Sequence, residues 1–302
     1  LANVLDGSQN SAANELRGLG GNDTYIVGAG DTVIEEANGG IDLVKAYVSY
    51  TLGNNLENLS LLGSDHLTAT GNALANVITG NDGNNVIDGG AGVDTLRGGK
   101  GDDTYIVDLT ASNVLQDRVL ENANEGIDTI LLRGGSILPK AATIVLANNI
   151  ENMDASGTGS IALNLTGNAA NNLLIGNQGN NTLNGGDGND ILVGMGGFDT
   201  LTGGRGADTF RFDLSWLGLN DGADALITDF RRLDGDKIQL QGDGAQSFSF
   251  VGQSFNAGSA SSHQLRFDAG TLYGSVDAGA SNAFEIRLLG VSELRQGDFL
   301  FG

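Results

Sequence analysis

The sequence predicts an all-β solenoid, in which short strands and tight turns stack on one another instead of folding around one compact core. Three observations support this class. Glycine recurs at intervals of nine residues, each interval holds turn-forming residues followed by a short apolar triplet, and the 302 residues contain 49 glycines but one proline. A single unit of this kind cannot bury its apolar face, so units must stack, two to a coil.

The clearest stretch spans residues 167–211 and consists of five units: GNAANNLLI, GNQGNNTLN, GGDGNDILV, GMGGFDTLT and GGRGADTFR. Each unit opens with glycine, carries Asn or Asp at its sixth place and has a large apolar residue at its eighth. Alternation along a strand points the eighth-place side chain inward. The predicted inward residues are Leu174, Leu183, Leu192, Leu201 and Phe210.

The same rhythm occurs at residues 18–26 and 71–106, whereas residues 27–70 and 107–166 keep strand-like triplets without the period. We interpret the latter as irregular coils of one solenoid spanning residues 1–212. A larger repeat contains the smaller one, because Asp31–Val44 aligns without gaps on Asp117–Ile130 and matches at eight of fourteen positions. The chain opens in the middle of a repeat, which favours its being the C-terminal part of a longer protein.

Glycine at places one, two and four, Asp at place six and an apolar residue at place eight resemble the haemolysin-type calcium-binding nonapeptide of the RTX (repeats-in-toxin) family. The resemblance implies a right-handed parallel β-roll, or β-helix, with several Ca²⁺ ions in its turns. Each ion would lie between units i and i+2, held by turn carbonyls and sixth-place side chains. Oxygen ligands of this kind suit a hard cation such as calcium.

Carried over position by position, the resemblance predicts the following metal ligands. The side-chain ligands are Asp23, Asn76, Asn85, Asp94, Asp103, Asn172, Asn181, Asp190, Asp199 and Asp208. The turn glycines are Gly89, Gly92, Gly98, Gly101, Gly185, Gly188, Gly203 and Gly206. Affinity rises with ligand charge, so we expect the Asp190/Asp208 site to be the tightest and the Asn-bearing opening turns to bind poorly or not at all. The alternative is that these side chains only form Asx-turns.

Four units have asparagine at the second place instead of glycine: Asn72, Asn81, Asn168 and Asn177. Asparagine tolerates the left-handed conformation better than most residues, so we expect it to substitute for glycine there. Met195 occupies the same place in a fifth unit and tolerates that conformation poorly.

Charge sets a second expectation, since 37 acidic and 15 basic residues give a net charge of −22. Such self-repulsion opposes a compact state unless cations neutralise it, so we expect folding to depend on calcium. The lack of a basic stripe argues against nucleic acid as a partner. The absence of cysteine excludes disulfides and thiolate metal sites. No apolar run is long enough to span a bilayer.

Residues 213–302 are predicted to form a β-rich cap, because an open solenoid end exposes unpaired strand edges. Thr228–Phe230 and Gly235–Leu240 resemble the element that follows the last repeats in serralysin-type proteases and alginate epimerase R-modules. Runs at 264–268, 271–276 and 284–289 alternate as antiparallel strands do. The final residues, 298–302, look like a type I secretion signal.

The function these features favour is a calcium-binding module of a larger secreted bacterial protein, extracellular or on the cell surface, that folds on calcium after passing the type I secretion machinery. One alternative is an adhesin or surface-layer component that binds a surface or glycan. Another is part of a polysaccharide-active enzyme. The chain lacks a His-Glu-x-x-His helix, a Gly-x-Ser-x-Gly elbow and a Gly-Lys-Ser phosphate loop. We therefore predict no catalysis by this segment, and any catalytic domain would lie upstream.

Overall fold

A computed structural model describes residues 1–137, 140–215, 224–242, 248–253, 263–275 and 284–302. The chain divides into two compact units. The first contains Leu1–Gly134 with Ala147–Ile150, and the second contains Gly135–Leu146 with Glu151–Gly302. Each is built mainly from parallel strands. No helix in the described ranges is long and apolar enough to cross a membrane.

The first unit contains fourteen short strands. They are β1 Val4–Asp6, β2 Glu15–Leu16, β3 Thr24–Val27, β4 Thr32–Val33, β5 Leu43–Ala46, β6 Tyr50–Thr51, β7 Asn58–Leu61, β8 Thr68–Thr70, β9 Val77–Thr79, β10 Val86–Asp88, β11 Thr95–Arg97, β12 Thr104–Leu109, β13 Arg118–Val119 and β14 Thr129–Gly134. Odd-numbered strands form one parallel sheet in the order β1-β3-β5-β7-β9-β11-β13. Even-numbered strands pair as β2-β4 and as β6-β8-β10-β12-β14. Alternate strands therefore enter opposite sheets, as a two-sided coil requires.

The second unit repeats this arrangement. Its strands are β15 Ala142–Val145, β16 Asn152–Asp154, β17 Leu163–Thr166, β18 Leu173–Ile175, β19 Thr182–Asp187, β20 Ile191–Val193, β21 Asp199–Arg205, β22 Thr209–Asp213, β23 Ala225–Ile227, β24 Lys237–Gln241, β25 Ser249–Phe250, β26 Gln264–Asp268, β27 Thr271–Ser275, β28 Phe284–Leu288 and β29 Phe299–Phe301. One sheet runs β16-β18-β20-β22-β24-β29 and the other β15-β17-β19-β21-β23-β28-β27-β26-β25. Single 3-10 turns lie at Ser156–Thr158 and Gln296–Asp298. The all-β solenoid predicted from the nine-residue period is confirmed, and so are the parallel strands that the family resemblance implies.

One apolar side chain per nonapeptide fills the interior. The five residues predicted to point inward from residues 167–211 are all fully buried, and so are the eighth-place residues of the earlier block: Ile78, Ile87, Leu96 and Tyr105. Each stacks on its counterpart in the next coil, as Leu192 does on Phe210. Because the coil is only two strands wide, this thin row supplies little core, and the turns must contribute much of the stability.

Parallel pairing continues past residue 212, since β23 pairs with β21 and β24 with β22. In the last repeat, both carboxylate oxygens of Asp229 accept backbone N–H groups, from Gly203 and Gly204, each at 2.9 Å. Phe230 packs on the Phe210 ring at a centroid distance of 6.2 Å. The element Thr228–Phe230 therefore closes the final turn.

The pairs β26-β27 and β27-β28 are antiparallel, as expected from their alternation, although Val276 lies outside the described residues. Phe299 to Phe301, within the expected secretion signal, form an edge strand parallel to β24. The division into a solenoid and a cap at residues 212 and 213 stays a prediction.

Candidate calcium sites

The sixth-place side chains form hydrogen-bonded columns within each unit. Neighbouring strands of one sheet are two nonapeptides apart, so each sixth-place residue stacks on the one eighteen residues later. In each pair, Oδ1 of the later aspartate accepts the backbone N–H of the earlier residue. These bonds join Asn76 to Asp94 (2.7 Å), Asn85 to Asp103 (2.6 Å), Asn172 to Asp190 (2.7 Å), Asn181 to Asp199 (2.8 Å) and Asp190 to Asp208 (3.0 Å). Asp23 accepts from Asn3 in the same way, at 2.6 Å.

Four further aspartates continue these columns beyond the regular repeats. Oδ1 accepts the N–H of Asp23 at Asp42 (2.7 Å), of Asp94 at Asp117 (3.0 Å), of Asp103 at Asp128 (2.8 Å) and of Asp208 at Asp236 (3.1 Å). Sequence reasoning missed them because the spacing widens to between 19 and 28 residues there. The signal was present in the fourteen-residue repeat, which places Asp42 and Asp128 at the same position.

The second carboxylate oxygen of several of these aspartates has no hydrogen-bond partner. Among the residues that the structure describes, this is true of the buried Oδ2 atoms of Asp23, Asp42, Asp94, Asp103, Asp190 and Asp208. Each of these six residues is at most 2% exposed. A buried charged oxygen without a partner is costly unless a cation neutralises it. Carboxylate and turn carbonyl oxygens are the donors that calcium prefers, so the residues present fit this metal.

Glycines make room beside these oxygens. A Cβ atom on Gly185 would clash with Oδ2 of Asp190 and with the carbonyl oxygen of Gly203. Gly186 and Gly188 adopt φ values of 110° and 122°, which curl the turn over the same space. Of the predicted turn ligands, Gly89, Gly98, Gly185 and Gly203 lie against the aspartate of their own unit, and Gly92, Gly101, Gly188 and Gly206 adopt positive φ.

Burial disfavours the charged form of these carboxylates. It raises the pKa of Asp190 to about 7, with a smaller contribution from the charge of Asp208. The pKa of Asp103 also rises to about 7, again from burial first and then from the charge of Asp128. Burial alone raises the pKa of Asp199 to about 7. Without a cation these groups therefore hold protons near neutral pH, and a bound cation would displace them.

The turns that open each block are different, because asparagine amides satisfy them. The amide of Asn72 donates from Nδ2 to two carbonyl oxygens of the preceding coil, Gly53 at 2.7 Å and Leu56 at 2.8 Å. Its Oδ1 accepts the N–H of Leu74 at 2.8 Å, which forms an Asx-turn. Asn81 makes the same set of bonds, to Leu62, Asp65 and Gly83. The carbonyls that converge in these turns are thus already hydrogen-bonded.

Three sixth-place asparagines, Asn76, Asn85 and Asn172, are also hydrogen-bonded at both ends of the amide. Asn76 accepts the N–H of Asn72 at 2.8 Å and donates to the Leu56 carbonyl at 3.1 Å. Asn172 accepts from Asn168 at 2.8 Å and donates to the Glu151 carbonyl at 3.1 Å. Three of the four sixth-place asparagines have a partner for Oδ1, and the fourth, Asn181, does not.

The second-place residues depart from the conformation expected of them. Asn72, Asn81, Asn168 and Asn177 are not among the residues with positive φ. The expectation that they replace glycine in the left-handed conformation is therefore wrong, because their side chains close the turn by hydrogen bonds instead. Met195, which cannot form such bonds, is left-handed with φ of 73°.

The family comparison matches these same segments. The model of the RTX calcium-binding nonapeptide repeat (HemolysinCabind) is found in four copies, at residues 10–34, 70–105, 166–201 and 184–214. A comparison with curated proteins finds no significant match. The matched family is a calcium-binding repeat and not an enzyme family, and its regular blocks are the stretches where the aspartate columns form. The chain is therefore a parallel β-solenoid that carries the RTX calcium-binding nonapeptide repeat.

Proposed function

We propose that the chain is a calcium-responsive folding module whose ions lie in the turns with two opening glycines and a sixth-place aspartate. The observation that carries the proposal is the set of buried, unpartnered Oδ2 atoms, four of which belong to such regular turns: Asp94, Asp103, Asp190 and Asp208. Bound calcium would supply positive charge to these oxygens. Asp190 takes part in two stacked pairs, with Asn172 and with Asp208, so its site depends on both neighbours.

The net charge of −22 supports coupling between binding and folding. In the absence of calcium, like charges repel and the buried carboxylates must be protonated or exposed. Binding energy then becomes folding energy, because the sites exist only in the stacked coil. Repeats stabilise one another only through neighbours, so folding should spread cooperatively from coil to coil.

This property suits an exported protein. We infer that the chain is kept extended in a compartment of low calcium, passes through a type I exporter and folds outside the cell. The acidic and apolar residues 298–302 are the candidate signal. An export assay in a type I host tests this step, by comparing the chain with a form lacking residues 298–302 whose calcium-dependent fold is verified by circular dichroism. Equal export of both forms would contradict this role for the segment.

The folding proposal is tested by far-UV circular dichroism of calcium-stripped protein titrated with calcium up to about 5 mM, which exceeds the dissociation constants of about 0.1–1 mM typical of extracellular calcium modules. We expect a cooperative gain of β signal, and a much weaker response to magnesium, which requires a stricter octahedral geometry. Identical spectra in chelator and in calcium would show that folding does not need the metal.

A further inference from the structure

In two clusters of the first unit, the sixth-place aspartate of a regular turn is joined by two carboxylates from the irregular coil that follows. One consists of Asp23, Glu35 and Asp42, and the other of Asp103, Glu121 and Asp128. In each cluster, one oxygen from every residue lies within 4.8 Å of the other two. Glu35 and Asp42 align with Glu121 and Asp128 in the fourteen-residue repeat, and Asp23 and Asp103 are the sixth-place aspartates of the nonapeptides before it, so the same arrangement is formed twice.

The first cluster is fully buried, whereas Glu121 of the second is half-buried. Asp23, Glu35 and Asp42 are 2%, 7% and 0% exposed. Within the described part of the chain, no lysine or arginine forms an ion pair with these three residues. Independently, Oδ2 of Asp23, of Asp42 and, in the second cluster, of Asp103 has no hydrogen-bond partner. Three like charges with unpartnered buried oxygens call for a multivalent cation.

A tyrosine organises each cluster. The units ending at residues 26 and 106 have tyrosine at the eighth place, where most units have leucine or isoleucine. The hydroxyl of Tyr25 donates to Oε1 of Glu35, and that of Tyr105 donates to Oε1 of Glu121. Both tyrosines are fully buried. The hydroxyls therefore fix the glutamates from inside the coil.

The tyrosine hydroxyl and the aspartate Oδ2 lie beside the same glycine. A Cβ atom on Gly18 would meet both Oδ2 of Asp23 and the hydroxyl of Tyr25. Gly98 stands in the same relation to Asp103 and Tyr105. The first-place glycine thus leaves room for the unpartnered Oδ2 to lie close to the tyrosine hydroxyl that holds the glutamate.

The regular block at residues 167–211 ends differently. Its last unit has Phe210 at the eighth place, and that ring packs on Phe230 with no hydroxyl to hold a carboxylate. Among the described residues, no third carboxylate joins Asp208 and Asp236 within the same distance. Tyrosine and the triple cluster therefore occur together and are absent together.

We propose that Asp23/Glu35/Asp42 and Asp103/Glu121/Asp128 are two calcium sites of a second kind, each formed by three side-chain carboxylates instead of mainly turn carbonyls. This inference rests on the proposed calcium binding. Because affinity rises with ligand charge, these sites fill before the Asp190/Asp208 site, which has two carboxylates. They also fasten an irregular coil to the regular coil before it.

The second site has a route for the ion. Glu121 is half-buried and lines a cleft of about 330 Å³, together with Arg97, Glu125 and neighbouring residues. The first cluster has all three residues buried. We therefore expect the second site to exchange its ion faster than the first.

The stoichiometric test uses the double variant Glu35→Gln/Glu121→Gln, which keeps an acceptor for each tyrosine. Bound calcium per chain is measured by equilibrium dialysis and atomic emission, with circular dichroism on the same samples. We expect a loss of about two ions from the tightest class, one for each cluster, while the calcium-induced β signal remains. Glu36→Gln, which removes the same charge from an exposed neighbour, should lose none. Unchanged stoichiometry in the folded double variant would overturn the inference.

A second measurement does not depend on those variants. Terbium replaces calcium and emits when a nearby tyrosine is excited, so a Trp216→Phe background isolates the tyrosines. The first terbium ions bound should be sensitised, and Tyr25→Phe/Tyr105→Phe should remove most of that emission, whereas Tyr47→Phe, at an exposed residue, should not. No emission from the first ions would overturn the inference even if the glutamine variants fail to fold. A chain that binds no calcium at all would instead refute the proposed function.

Discussion

The opening turns of each regular block and the turns that follow them use one nonapeptide, yet they satisfy their buried polar atoms differently. In the turn of Gly71 and Asn72, the asparagine amide donates to two carbonyls of the preceding coil. In the turn of Gly185 and Gly186, no side chain occupies the second place, and Oδ2 of Asp190 is left without a partner. The amide N–H groups of the first turn do what a cation would do in the second.

Under the proposed function, one β-solenoid contains both coils that close without metal and coils that close on calcium. Opening coils can close their turns by hydrogen bonds alone, whereas later coils need positive charge. A folding order follows, because the opening coils can template the stack before calcium completes it. We therefore expect the two kinds of turn to respond differently to substitution, pH and calcium.

The largest effect is expected from Asp190→Ala. Asp190 contacts both Asn172 and Asp208 in its column, so its loss should weaken two stacked coils. The calcium midpoint of folding, followed by circular dichroism, should rise by on the order of tenfold, equivalent to about 1.4 kcal/mol. The control is Asp187→Ala, because Asp187 is exposed and its nearest ion-pair contact is 3.8 Å long. Equal midpoints for the two variants would contradict the assignment of Asp190.

The second-largest effect is expected from a change in pH, which alters the charge of the aspartates in the later turns. The pKa values of Asp103, Asp190 and Asp199 are about 7 in the folded, metal-free chain, against 3.8 for an unperturbed aspartate. Because the folded chain raises these pKa values, protonation of the three carboxylates stabilises the metal-free fold below about pH 4. This stabilisation is lost as the pH rises through about 7.

Two measurements check the pH dependence. Thermal melts of calcium-stripped protein should show lower stability at pH 7.5 than at pH 5. Because calcium competes with the protons on these carboxylates, the calcium concentration at the midpoint of folding should fall as the pH rises from 5 to 7.5. A midpoint independent of pH would mean that these carboxylates do not bind the ion.

Converting an opening turn gives a smaller effect in the opposite direction. Asn172→Asp places a carboxylate beside Asp190, as in the Asp190/Asp208 pair. It also removes the hydrogen bond that the Asn172 amide donates to the Glu151 carbonyl. Bound calcium measured by dialysis should increase by about one ion per chain, and the metal-free fold should become less stable. Asn171→Asp, at an exposed fifth place, is the matched control. If both variants bind the same amount, the sixth place does not decide occupancy.

The smallest effect concerns the backbone of a later turn. Met195 adopts φ of 73°, a left-handed conformation that costs a non-glycine residue roughly 1–2 kcal/mol. Met195→Gly should relieve part of this strain and stabilise the calcium-loaded protein by about 1 kcal/mol in urea unfolding. A loss of stability would show that the methionine side chain contributes packing that outweighs the strain.

The period of the sequence was enough to predict the solenoid and its inward residues, and the family resemblance added the parallel sheets. Leu192 and its equivalents follow from spacing alone, because the glycine-rich turn fixes where each short strand begins. The predicted aspartates of residues 71–106 and 167–211 are also where their spacing implies, each stacked on the sixth-place residue eighteen positions earlier.

Features that depend on contacts between distant segments could not be predicted. Asn72 bonds to Gly53, nineteen residues away, so its role is not visible within its own nonapeptide. Asp42 and Asp128 join the columns across irregular spacings of 19 and 25 residues. The nonapeptide of Tyr25 predicts only that this aromatic side chain points inward, whereas its hydroxyl reaches Glu35 on the following segment. In each case, three-dimensional stacking supplies a partner that linear spacing does not reveal.

The most direct measurement is an anomalous difference map from crystals grown in calcium. We predict peaks within about 2.3–2.6 Å of Oδ2 in the later turns, at Asp94, Asp103, Asp190 and Asp208. The amides of Asn76, Asn85 and Asn172 should have no peak centred on their own turns, because each Oδ1 there already accepts an N–H. Peaks in the asparagine turns, or none beside the four aspartates, would contradict the division between the two kinds of turn.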